Sequence, residues 1–254
     1  MKKNGTSPHL LSFIMPNYNY GQFIAEAIAS AAAQDYAPIE IIIVDDASTD
    51  NSLDEIRTAL KQTDAFTRVE VIALSENVGK IGAINRAIEK IQGEYCIILD
   101  SDDLLTPGYA TRCISELKAA RVEAPHIGFV YTDCNLISAE GQALNRGKST
   151  AFDPALLEHY SFVPEPAVVL SEAMIEAAPF DEAIRKGTKH HKWKRIVTNG
   201  WWGKHIAEPL FYYRMHQANI SGIGKAVLAE VERGQNGHRI LSGYWPTELR
   251  QEAS

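Results

Sequence analysis

The segment EYCIILDSDD (94–103) decides how this chain folds. Its apolar run, ending at Leu99, breaks off on Asp100, Ser101, Asp102 and Asp103. A short isoleucine-rich run bounded by polar residues is the pattern of a buried parallel strand. Carboxylates spaced so closely repel one another unless a cation or a polar ligand offsets their charge. A buried strand ending on an acidic cluster therefore points to a ligand site. The pattern repeats upstream. HLLSFIM (9–15) leads into PNYNYG (16–21), and IEIIIVDD (39–46) leads into DDASTDNS (45–52). RVEVIAL (68–74) and IGFVYTD (127–133) extend the series of strands.

Helical faces alternate with these runs. Phe23, Ala27, Ile28 and Ala31 share one face, and Leu53, Ile56 and Leu60 another, with Ser52 and Glu55 at capping-box spacing. Ile81, Ile84, Ile88 and Ile91 form a stripe spaced three, four and three. Thr106-Pro107 signals the start of a further helix. Strands alternating with helices predict an α/β fold, a mostly parallel sheet with helices on both faces. Residues 141–166 hold two glycines and three prolines without a period and read as a long segment crossing the front of the sheet. A helix over 171–178, another near 189–199, a strand over 205–215 and a helical tail over 225–241 complete the prediction.

Composition narrows the function. The chain has 254 residues and a net charge of -7, which argues against a nucleic-acid partner, because phosphate binding through counterion release needs a basic surface. Three scattered cysteines lack metal-ligand spacing and read as reduced thiols of a cytoplasmic protein. The apolar run Leu10–Met15 is too short for a signal peptide or membrane span, which leaves peripheral attachment at the inner membrane face open.

In a doubly wound sheet ligands bind beyond the carboxyl ends of the strands, where all three polar clusters fall. Tyr18 can stack on a base, Asp46 can accept from a base N–H, and Asp100 from a ribose hydroxyl. Asp102 is then free for a divalent metal on a diphosphate. Each cluster alone also fits a turn or a cap, as Asp50 and Ser52 do; three together favour a nucleotide site.

The stretches SFIMPNYNYGQFIAEAIASAAAQDYAPIEIIIVDDASTDNSLDEI and ENVGKIGAINRAIEKIQGEYCIILDSDDLLTPGYA, with FDEAIRKG (180–187) and EPLFYYRMHQANIS (208–221), resemble the family 2 glycosyltransferases of GT-A fold. The resemblance implies one GT-A-like domain over 1–254, with a nucleotide-sugar half (1–135) and an acceptor-side half (136–254). It implies metal-dependent, inverting transfer from a nucleoside diphosphate sugar, UDP-linked by preference, to a hydroxyl of a carbohydrate or lipid-linked acceptor in polysaccharide or glycoconjugate assembly. Pro16, Tyr18 and Asp46 would hold the base, Asp100 with Ser101 would lie at the ribose, and Asp102 would bind Mn²⁺ or Mg²⁺. His216 matches a histidine that can approach the metal or the diphosphate, or is an interface histidine. Arg214 is a diphosphate contact or a structural ion-pair partner. Lys80 faces the nucleotide or solvent, and Asn85 makes a cap-like bond or a donor contact.

The family's general base is a carboxylate near the start of a helix matching GTKHHKWKRIVTNGW (187–201), where this chain has Thr188 and Lys189. His190 and His191 have a suitable pKa, although a helix turns about 100° per residue and directs them elsewhere. Asp181 or Glu182 is another candidate. The alternative is a non-catalytic nucleotide-sugar-binding protein that has lost its base. Trp201 and Trp202 could offer an acceptor platform, with at least one of them in the core. Glu165 and Glu172 carry no motif that names a role.

Overall fold

The computed structural model describes residues 6–219. The predicted tail helix and residues 220 and 221 of the last quoted motif lie outside the described residues. The order is β1 (Ser7–Asn17), α1 (Gly21–Ala32), β2 (Ile39–Asp45), α2 (Ser52–Lys61), β3 (Phe66–Ala73), α3 (Gly79–Ile88), β4 (Gly93–Ile98), β5 (Leu104–Leu105) and α4 (Tyr109–Glu123). There follow β6 (Ile127–Ile137), β7 (Ala143–Gly147), α5 (Pro154–His159), β8 (Ala167–Leu170), α6 (Ser171–Ala177), α7 (Thr188–Thr198) and β9 (Trp202–Arg214).

Nine strands form one sheet in the order β3-β2-β1-β4-β8-β6-β9-β5, with β7 paired to β6. The first four strands run parallel, as their apolar runs predict. Every residue of β2 is buried, because β2 is an interior strand with apolar side chains on both faces. β3 alternates between half-buried and exposed residues, as an edge strand does. β8 enters antiparallel between β4 and β6, so β6 and β9 again run parallel to β1 and β4. All the parallel strands therefore present their carboxyl ends on one side. The stripe of Ile81, Ile84, Ile88 and Ile91 is buried, although the helix itself ends at Ile88. The three cysteines are buried and free. Among the described residues, no helix is long and apolar enough to cross a membrane.

Several local expectations need correction. The segment 141–166 is not irregular throughout: it holds β7 and α5, the latter capped by Asp153, which accepts from Ala155 N and Leu156 N. Both elements, of five and six residues, are too short to repeat a period often enough to be read in sequence. The capping box is absent, because Ser52 is already the first residue of α2 and Asn51 holds the cap position. Instead, Asp50 accepts from the N–H groups of Ser52 and Gly21 and so ties α2 to α1. Thr106 does not cap α4, whose cap position is Gly108; its hydroxyl donates to Leu210 O on β9.

Candidate active site

The site begins with two interlocked loops after β1 and β2. Asn17 Nδ2 donates to Asp45 Oδ1 at 2.8 Å, and Ser48 donates to Asp45 through both its N–H and its hydroxyl. Asn19, in the left-handed region at φ 56, receives Thr49 N at 2.8 Å. The neighbours of Tyr18 are thus anchored while its own ring is 46% exposed. Asp46 is buried, and its two carboxylate oxygens accept from Val78 N at 2.7 Å and Gly79 N at 2.8 Å. These are orphan donors at the start of α3, a helix with no acidic residue in its first turn. Gly79 has φ +82, and a Cβ there would collide with the Arg185 guanidinium. A carboxylate has about four acceptor positions, so Asp46 retains capacity for a further donor.

The acidic cluster follows β4. Asp100, Asp102 and Asp103 each place an oxygen within 4.8 Å of the others. Burial raises the Asp100 carboxyl; Lys80 pulls it back and Glu165 and Asp102 push it up, leaving it at about 6. Burial, then Asp102 and Asp100, drive Asp103 well above the ordinary range. Without a cation, burial and mutual repulsion therefore favour protons on these carboxyls, which a divalent ion would displace. Hard oxygen donors so placed fit Mg²⁺ or Mn²⁺. Asp102 Oδ2 meets His216 Nε2 at 2.9 Å and Asn219 Nδ2 at 3.2 Å. His216 Nδ1 accepts from Ala218 N, which makes Nε2 the donor to Asp102. Lys80 Nζ lies 2.6 Å from Asp100 and 3.8 Å from Glu165.

Other predicted residues have structural partners. The Ser101 hydroxyl donates to Pro16 O at 2.9 Å and is buried, so it joins the first loop to the acidic one. Asn85 lies within α3 rather than opening it, and its amide bonds Phe180 in both directions, donating to O and accepting from N at 2.9 Å. Its place is under the segment 180–182, not among the carboxylates. Arg214 is an internal clamp: its guanidinium reaches Asp102 O, Ala139 O and Glu26, while its N–H donates to Asp103.

The histidines of α7 are also engaged. His190 Nε2 lies 2.5 Å from Leu157 O on α5, and His191 Nε2 receives Asp181 N. Burial and then Arg195 lower the His191 pKa below the ordinary value. Glu182 binds Arg86 and Asn85, and Asp181 accepts from Ala183 N. The structure thus gives these base candidates partners away from the acidic cluster. The predicted tryptophan platform does not form there either. Trp202 pairs with Ile127, the first residue of β6, at the end of the sheet opposite the cluster. Trp202 is exposed, whereas Trp201 is half-buried against the core and donates to Glu176.

Glu165, without a predicted role, stands beside the cluster. It is 5% exposed and lies 3.3 Å from the fully buried Lys192 Nζ of α7. Burial pushes its carboxyl up, but Lys192, Lys80 and Lys189 outweigh this and leave it below the ordinary value. Burial lowers the Lys192 ammonium, with Glu165 acting against that shift. The signal available in the sequence was a lone glutamate between Pro164 and Pro166, in an otherwise apolar approach to a strand.

The family model "Glycosyl transferase family 2" matches residues 12–165. An uncharacterized glycosyltransferase of Nostoc sp. is 29% identical over 251 residues, covering 92% of this chain and 74% of the relative. The succinoglycan biosynthesis protein ExoO of Rhizobium meliloti is 26% identical over 235 residues, covering 84% of this chain and 63% of its own. A Haemophilus influenzae glycosyltransferase is 32% identical over 124 residues, which are 49% of this chain and 48% of that one. Among solved structures, S. aureus TarS 1-349 in complex with UDP superposes with a TM-score of 0.62 at 18% identity, over 92% of this chain and 70% of that one. The mannosyltransferase PcManGT of Pyrobaculum calidifontis, in complex with GDP-Man and Mn²⁺, gives 0.62 at 20% identity, over 91% and 67%. These likenesses show the fold, which is of the GT-A kind. With the sequence match, they place the chain among transferase enzymes. It belongs to glycosyl transferase family 2.

Proposed function

We propose that the chain moves a sugar from a nucleoside diphosphate donor, UDP-linked by preference, to a hydroxyl with inversion at the anomeric carbon. The observation that carries this is the convergence of three carboxylates, Lys80 and His216 beyond the carboxyl ends of β1, β2 and β4. Tyr18 stacks on the base, and Asp46 accepts from its N–H with the lone pairs that α3 leaves free. Asp100 accepts from the ribose. Mn²⁺ or Mg²⁺, held by Asp102 with help from its neighbours, would neutralise the departing diphosphate. Lys80 adds a cation on the same side. Pro16 holds Ser101, and through it the acidic loop, in register with the base-binding loop. The TarS complex with UDP and the PcManGT complex with GDP-Man and Mn²⁺ support a donor of this chemistry.

The whole of 1–254 would act as one unit, its donor half ending near 135 and its acceptor half following. Relatives such as ExoO, a succinoglycan biosynthesis protein, support polysaccharide assembly as the setting. In that setting the acceptor would be a carbohydrate or lipid-linked, with the chain attached peripherally at the cytoplasmic face of the inner membrane. The second reading, a nucleotide-sugar-binding protein without turnover, draws on Thr188 and Lys189 at the positions of the expected carboxylates.

Thermal unfolding with UDP, GDP, CDP and dTDP, each with and without Mn²⁺, tests the donor site. A ligand at one hundred times its dissociation constant adds ~2.7 kcal/mol to native stability. One nucleotide should raise Tm only with the metal present, and Asp102→Ala should remove that rise. No rise with any nucleotide, or an undiminished rise in Asp102→Ala, would refute the assignment.

A further inference from the structure

Glu165 is a buried carboxylate with no hydrogen-bond donor among the described residues other than the Lys192 ammonium. Its partners are ammonium groups at ion-pair distance, Lys192 at 3.3 Å and Lys80 at 3.8 Å. An ionised group buried with its acceptor positions unused is costly to the fold. Here the unused positions lie next to the reacting region, because Lys80 spans from Asp100 to Glu165. A group bound over Asp100 therefore comes within reach of Glu165. Lys189 and Lys192, on one face of α7, lie toward the same carboxylate. Beside them Thr188 offers a neutral hydroxyl. That hydroxyl cannot take a proton unaided, and Lys192 is taken up as the ion-pair partner of Glu165. His190 and His191 are committed to α5 and to Asp181.

We propose that Glu165 is the catalytic base of the transfer, an inference that rests on the transferase reading above. The acceptor oxygen attacks the anomeric carbon and its proton passes to a Glu165 oxygen. The bond from that carbon to the diphosphate oxygen breaks, and the electron pair leaves with the diphosphate. Glu165 then gives its proton to solvent. Lys80 and Lys192 keep the carboxylate ionised before each turnover. The base enters from the strand side of the site, facing the helix from which a carboxylate is missing.

The test uses the full chain with Mn²⁺ and UDP-glucose, UDP-GlcNAc or GDP-mannose, and follows nucleotide release with water as acceptor. Glu165→Gln is expected to lower kcat by about 10²–10⁴-fold. Its Kd for the matching nucleoside diphosphate should stay within about threefold of wild type, since the lost interaction belongs to the transition state. Glu165→Gln leaves Lys192 buried and unpaired, so the double variant Glu165→Gln/Lys192→Met separates folding from chemistry. It should remain as slow as the single variant. Recovery of the rate in the double variant would show that Glu165 serves only to pair Lys192. Loss of nucleotide affinity in step with rate would show that it only positions Lys80. Equal turnover by wild type and Glu165→Gln would overturn this inference alone. A wild-type chain that turns over no donor would overturn it together with the transferase reading.

Discussion

Asp46 binds its own backbone whether or not it also meets a nucleotide, and this sets a measurable expectation. Its carboxylate receives Val78 N at 2.7 Å and Gly79 N at 2.8 Å, at the positive end of α3. Hydrogen bonds to a charged group contribute about 1.5–3 kcal/mol each, and loss of a helix cap costs about 0.5–2 kcal/mol. The two bonds share one carboxylate and one cap, so Asp46→Ala should cost about 3 kcal/mol rather than the full sum. For a chain of this size 1 kcal/mol moves Tm by about 2–4 °C, so the shift should be roughly 6–12 °C. The Asp46→Asn amide keeps one acceptor oxygen and should lose about half as much. Circular dichroism melts without nucleotide are sufficient to measure both. A Tm for Asp46→Ala within about 1 °C of wild type would refute the capping argument. If Asp46→Asn folds well yet binds UDP as tightly as wild type, Asp46 is a cap and not a base contact.

Tyr18→Ala should change the melt little, because the residue is already 46% exposed, but weaken nucleotide binding by about 1–3 kcal/mol through lost stacking. Titration calorimetry with UDP and Mn²⁺ checks this, and unaltered affinity would place the ring outside the site. The pH dependence follows from Asp100, whose carboxyl burial pushes up from the ordinary 3.8 to about 6. Protonated Asp100 favours the metal-free fold, so its stabilising contribution is complete below the unfolded value and is lost as pH rises through about 6. A divalent cation reverses this preference. The Mn²⁺-induced rise in Tm should therefore be larger at about pH 7.5 than at about pH 5.5. Equal rises would mean that Asp100 neither binds nor feels the ion.

Much of the architecture was legible because long parallel strands advertise themselves. An interior strand must be apolar on both faces, so the runs in β1, β2 and β4 stand out, and their ends mark the ligand side. The elements between 143 and 170 were hidden because they are short and owe their form to their neighbours: β8 has four residues and is held between β4 and β6. The site was legible where chemistry is concentrated in one stretch, as at Asp100–Asp103. It was illegible where a residue's role depends on a distant partner. Asn85 reads as a helix cap or a contact to the donor until Phe180, ninety-five positions away, occupies its amide. Glu165 gains meaning only beside Lys80 and Lys192, which the fold delivers from two separate helices.

The closure of the acidic cluster by β9 bears on the order in which the protein can mature during synthesis. Asp102 meets His216 across 114 positions, and the Arg214 guanidinium reaches Asp102 O across 112. A nascent chain that has emerged only as far as α7 can already pair β1 to β4, but its carboxylates still lack Arg214, His216 and Asn219. The edge of β6 that β9 covers is also bare at that stage. That edge is then covered and the acidic loop braced in a single late step, both by the same strand. Until then a partly made chain carries its carboxylates without the residues that hold them in place.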